Sequence, residues 1–133
     1  MASTPAFAAT PRSGQGITPG AETSRATPVG AGVKIFTAGA SGAIITWIHL
    51  QSVVTTTAGW AGIFVYDAGN TAYIYWEEVL VPVVAIASGV APWSAFAANV
   101  TPQRPINLEA SWEIWVTRNA AEALHAVCSG GDF

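Results

Sequence analysis

Apolar residues fall into three runs over residues 43–54, 60–67 and 71–81, separated by TTTAG at 55–59 and DAGN at 67–70. Each run is rich in β-branched and aromatic side chains, the composition that fits a pleated surface. DAGN reads as a short hairpin loop, with Gly69 and Asn70 supplying left-handed positions. In the first run Ile44, Ile48 and Leu50 share one parity and Ile45, Trp47 and His49 the other, so both faces are apolar. That pattern predicts a strand covered on two sides. In the third run Tyr73, Tyr75, Glu77 and Val79 alternate with Ile74, Trp76, Glu78 and Leu80.

The flanks extend the same sheet system. Residues 29–38 (VGAGVKIFTA) predict a strand with Val33 and Ile35 opposed to Lys34 and Phe36, and GASG at 39–42 a turn. After Pro82, residues 83–87 predict a short strand, SGVAP at 88–92 a turn, and residues 93–100 and 106–109 further extended pieces. SWEIWVTR at 111–118 alternates Trp112, Ile114 and Val116 against Glu113, Trp115 and Thr117. Residues 122–128 contain good helix formers, but they follow a strand across a short NAA turn and run into SGGDF, which favours a strand. Roughly seven to nine short strands at about 8–12-residue spacing predict an all-β antiparallel sandwich, jelly-roll-like or immunoglobulin-like.

Residues 1–32 show no such period. They are Ala, Thr, Ser, Pro and Gly, with Pro5, Pro11, Pro19 and Pro28 spread through them. A segment of this kind buries too little apolar surface to offset its ordering entropy alone. It predicts an extended or flexible N-terminal arm, ordered by lying across a neighbouring subunit with Phe7 and Ile17 as anchors. Residues 33–133 are then the sandwich domain.

Charge sharpens this picture. The 133 residues fit one domain, yet only 10% are charged and 51% are apolar, where an ordinary domain carries about 25% charge. Five basic and eight acidic side chains are too few to cover such a surface. No run approaches the roughly 20 apolar residues of a spanning helix, and the chain beyond its first 30 residues is short for a transmembrane barrel. Cover by other protein is the better expectation, in a homo-oligomer, with no membrane partner. Arg12, Arg25, Lys34, Arg104 and Arg118 are scattered under a net charge of −3, which argues against nucleic acid. Cys128 is the single cysteine, so no internal disulfide forms. The start, MASTPAFAATPRSG, lacks the basic and continuous apolar regions of a signal peptide, which favours an intracellular origin.

Candidate chemistry is sparse. His49 and His125 lie far apart without ligand spacing. Glu77 and Glu78 are adjacent and point to opposite faces of a strand. Glu109 and Glu113 do not define a cleft, and Cys128 has no basic sequence neighbour. No catalytic residue, metal or cofactor is expected. Six tryptophans suit either sugar stacking or packing. One small core cannot hide them all, so the candidate interface residues are Trp47, Tyr73, Tyr75, Trp93 and Trp115, with Phe7 and Ile17 of the arm.

FTAGASG at 36–42, TTTAGWAGIFVYDAGN at 55–70 and PINLEASWEIWVTRNAAEALHAVCSGGDF at 105–133 together resemble small virion proteins of tailed bacteriophages, of the capsid decoration or cement type. The resemblance covers residues 33–133. It departs at LEAS, 108–111, where the pattern carries Pro and Gly in a turn. It implies a jelly-roll-like sandwich without enzymatic activity, assembled in the host cytoplasm and carried on the capsid surface. The implied partners are further copies of the chain, as a trimer or dimer, and the major capsid protein. A tail, baseplate or fibre-attachment component and a carbohydrate-binding module are the alternatives.

Overall fold

A computed structural model describes residues 10–28 and 30–133. Its described residues form nine strands: β1 (Thr10–Ile17), β2 (Val33–Thr37), β3 (Ala43–Ser52), β4 (Gly59–Asp67), β5 (Ala72–Val81), β6 (Ser94–Phe96), β7 (Ile106–Leu108), β8 (Glu113–Arg118) and β9 (Leu124–Asp132). The strands make two sheets in which every ladder is antiparallel. Sheet A has the order β1-β9-β3-β6, with β7 also pairing β3, and sheet B the order β2-β8-β4-β5. Strands β6 and β7 pair opposite ends of β3, at His49–Gln51 and Ala43–Ile45, and act as two halves of one interrupted strand. Counted that way, eight strands are divided between the sheets in the order of a jelly roll, with β4 and β5 the one consecutive pair in the same sheet, so the all-β sandwich stands as expected.

The core lies between the sheets. Ile45, Ile48 and Leu50 of β3 and Ala126 and Cys128 of β9 face Ile63 and Val65 of β4 and Ile114 and Val116 of β8. Full burial of each aliphatic side chain is worth about 1.5–3 kcal/mol. The face assignments differ from simple alternation at three places, because each holds a β-bulge. Between Ile45 and Trp47 the register shifts, so Ile45 turns into the core while Trp47 and His49 point out. Between Lys34 and Phe36 a second shift buries Ile35 and Phe36 together. Around Trp76 a third puts Tyr73, Tyr75, Glu78 and Leu80 on one side, with Glu77 and Val79 on the other. One extra residue per bulge reverses the parity of everything beyond it.

The described part of residues 1–32 is arranged differently from a free arm. Thr10–Ile17 is an eight-residue strand paired with β9 of its own chain, from Thr10↔Asp132 to Ile17↔His125. The sheet therefore begins at Thr10 and not at Val33. Its inward positions are Arg12, Gly14 and Gly16, opposite Gly130, Cys128 and Ala126. There is no apolar period because there is no room for one. A Cβ on Gly14 would collide with the Ile35 carbonyl, and one on Gly16 with the Val33 side chain, so β1 closes this edge of the sandwich against β2. After β1, Thr18 exchanges bonds with Leu124, its N–H donating at 3.0 Å and its Oγ1 accepting at 3.1 Å. Ala21 then bridges Arg118, and Arg25 stacks over Trp60 at 4.3 Å and meets Glu78 at 2.6 Å. The described segment wraps its own chain.

Three further differences follow from local chemistry. Residues 83–87 are not a strand, since Pro82 breaks the ladder and only isolated bridges follow, Val84 to Thr56 and Ala87 to Val90. The piece at 93–100 shortens to β6, with Ala97 and Val100 turned into the core. The last strand runs on through SGGD to Asp132. Ser111, where the resemblance places Gly, takes a left-handed φ of 67° in the turn before β8.

A candidate binding surface

The outward faces of the two sheets differ in charge. On sheet B, Lys34 lies 3.6 Å from Glu113, and Glu78 accepts from Arg25 and, at 2.7 Å, from the Tyr75 hydroxyl. The aromatic rings there pack on one another. Phe64 is fully covered, with Tyr75 tilted at 5.0 Å and Tyr73 edge-on at 6.5 Å, while Tyr66 stacks on Tyr73 and Trp115 meets Tyr73 edge-on. The Arg25 hydrogen bond holds the Glu78 carboxyl below its ordinary range, and burial, with the Glu78 bond, pushes the Tyr75 phenol up. This face is a self-satisfied aromatic layer with ion pairs at its margin.

On sheet A no described outward strand residue is charged. The ladders align Gln15, Val127, His49 and Phe96 in one row across all four strands. The adjoining row holds Ile17, His125, Gln51 and Ser94. Phe96 is 62% exposed and Ile17 51%. Trp47 meets the Phe96 ring edge-on at 5.9 Å, and His49 lies against it at 4.6 Å. A groove of about 410 Å³ opens between Gln15 and Ile17 of β1 and His125 and Val127 of β9.

The candidate interface residues are thus divided. Ile17 and Trp47 share the sheet A face, whereas Tyr73, Tyr75 and Trp115 belong to the aromatic layer of sheet B. Trp93 is half-buried beside β6 and packs against the core. Phe7 lies outside the described residues. Sequence reasoning missed Phe96, His49, His125 and Val127 as a group. The two histidines are 76 positions apart, yet the register sets them diagonally on adjacent strands, since His49 opposes Val127 and His125 opposes Gln51. The available signal was the shared absence of charge in residues 35–66 and 79–103.

The remaining polar groups hold the scaffold. Glu77, buried at the rim, accepts from the N–H groups of Ala98 at 2.8 Å and Asn99 at 3.0 Å and ties β5 to the opposite sheet. Asp132 accepts from Arg12 at 2.8 Å and from the Gly39 N–H at 3.0 Å, and the Arg12 bond holds its carboxyl below the usual range. The C-terminal GGD therefore locks β1 and the 39–42 turn onto β9. Gly130 is required there, because a Cβ would strike the Ile44 carbonyl at the β3 bulge. Burial pushes the Cys128 thiol up to about 11, which leaves it inert at neutral pH. Among the described residues no three His, Cys, Asp or Glu side chains are grouped to hold a metal ion, and no helix is long and apolar enough to cross a membrane.

Comparison with protein-family models, curated proteins and solved structures finds no match.

Proposed function

We propose that the chain is a non-enzymatic structural protein of a tailed bacteriophage particle, a cement protein that decorates the capsid and stabilises it through contacts between subunits. The observation that carries the reading is the uncharged outward face of sheet A, with Phe96 and Ile17 exposed at its two edges. A sheet face that works in water carries mainly polar and charged residues, the apolar ones pointing to the core. This one has the aromatic, charge-depleted composition of an interface core, ringed by hydroxyl and amide side chains. The resemblance over residues 33–133 supplies the particle, and the jelly roll agrees with it. Function is then binding energy: contacts burying about 1,200–2,000 Å² are stable, and no group need be consumed or transformed. The partners are further copies of this chain and the major capsid protein.

Attachment tests it. Purified chain is mixed with shells of the particle that its genome encodes, and the bound fraction is read by sedimentation. Saturable binding that raises the shell's melting temperature supports the reading, and failure to bind removes it. A carbohydrate-binding sandwich is the second reading, supported by Trp47, Gln15 and Gln51 on the same face. Glycan binding lost on Trp47→Ala would favour it.

A further inference from the structure

We propose that the outward face of sheet A is a self-complementary surface through which two copies of this chain associate, each placing Phe96 in the groove of the other. The inference deepens the assembly reading by naming the partner of one surface, and it stands on four observations.

The first is charge. A partner bearing Lys, Arg, Asp or Glu at the contact would have those groups desolvated against a face offering no counter-charge, which is unfavourable. A partner surface of matching chemistry is neutral and apolar at its centre, and the same face of a second copy has that chemistry. Sheet B's outward face, with Lys34, Glu113, Glu78 and Arg25, does not.

The second is geometry. Phe96, His49, Val127 and Gln15 occupy one row perpendicular to the strands. The groove lies at the β1–β9 end of that row and Phe96 at the β6 end. A two-fold axis running along the strands, close to β3, keeps every residue at its own height and exchanges the two ends. Each Phe96 then lies over the partner's groove, and both insertions form at once, as an isologous contact demands.

The third is fit. The open groove offers about 410 Å³, room for a benzyl side chain, and its walls include the apolar Ile17 and Val127. Phe96 is free to enter it, being 62% exposed, with Trp47 edge-on and His49 tilted against its ring.

The fourth is area. Four strands about 4.8 Å apart, averaging about seven residues at roughly 3.3 Å per residue, give a footprint of about 450 Å² in plan. Two such faces approach the roughly 1,000 Å² that a specific interface needs, and side-chain relief adds to it.

Sedimentation velocity of the full chain at about 1–100 μM tests the proposal, with circular dichroism confirming the fold of each variant. The wild type should sediment at twice its 13.7 kDa mass. Phe96→Asp should weaken association by about 100-fold or more, since it removes the inserted aromatic anchor and desolvates a charge. Ile17→Asp should weaken it less. Leu80→Asp, a substitution at a 74% exposed site on sheet B, should leave it unchanged. A monomer at about 100 μM overturns the proposal, as does a trimer, or a dimer that Phe96→Asp leaves intact. So does a monomeric chain that binds oligosaccharide through Trp47. The particle reading fails separately: a chain that dimerises yet never binds a shell removes that reading and leaves this one.

Discussion

Arg118 is the largest fully buried side chain among the described residues, and its replacement gives the sharpest test of how the fold is held. It ends β8 with its side chain 1% exposed. Nη2 donates to the Thr57 carbonyl at 2.7 Å and to the Glu122 carboxylate at 2.6 Å, and Nη1 donates to the Trp60 carbonyl at 3.2 Å and to Asn119 Oδ1. One guanidinium thus fastens the 55–59 loop to the connection between β8 and β9. In Arg118→Ala, Trp60 O keeps the Asn119 N–H, and Glu122 keeps the Thr57 N–H and hydroxyl. The Thr57 carbonyl loses its bond from Arg118, the carboxylate loses its cation, and a cavity opens. Breaking a buried pair costs about 3–5 kcal/mol. The surviving bonds place this case near the lower end, at about 3–4 kcal/mol, a sizeable part of the roughly 5–15 kcal/mol of a whole domain. At this chain length that lowers Tm by about 10–15 °C. Arg118→Met keeps most of the volume and should cost about 2–3 kcal/mol through the lost bonds alone. Urea unfolding followed by tryptophan fluorescence measures both. A loss below about 1 kcal/mol in Arg118→Ala, or a Met variant as stable as the wild type, would refute the reasoning.

Deleting residues 2–18 should lower stability, by about 3 kcal/mol or more, because it strips the β1 ladder and the Arg12–Asp132 pair from β9; a truncated chain with an unchanged urea midpoint would show that β1 is dispensable. Cys128 should stay unmodified by a thiol-reactive probe at pH 8 while the chain is folded and react at once in denaturant, since its thiol is buried and pushed up to about 11. Acid should destabilise the fold from about pH 4 downward. The Asp132 and Glu122 carboxyls lie below their unfolded values: Asp132 through Arg12, Glu122 because bonds from Thr57 and the charge of Arg118 outweigh its burial. The folded state therefore binds fewer protons, and the stability present above that pH is lost as pH falls through the folded values. Flat stability from pH 6 to pH 2.5 would contradict this.

The strand system from β2 to β9 was legible because its apolar residues keep a period of two and its turns carry Gly, Asn and Asp. The bulges were not. A bulge adds one residue without changing composition, so Ile45, Phe36 and Glu77 read as facing the wrong way. β1 was hidden for a different reason: where two strands approach closely, Gly14 and Gly16 are the residues that fit, and a strand written RSGQG resembles a linker. The surface was half legible. Low charge pointed to a covered face, and Trp47 was picked from it. Phe96, Val127 and the two histidines join it only through cross-strand register. Tyr73, Tyr75 and Trp115 belong to the other face, where they pack with Phe64, Tyr66 and one another. Long-range pairing decides both outcomes, and composition carries no record of it.

The copy number of this chain in purified particles tests the central claim most directly. Gel densitometry against the major capsid protein should give hundreds of copies per particle, in a fixed ratio to the shell subunit. Absence from the particle would contradict a structural role there, and a small multiple of three or six copies would move the chain from the capsid to the tail.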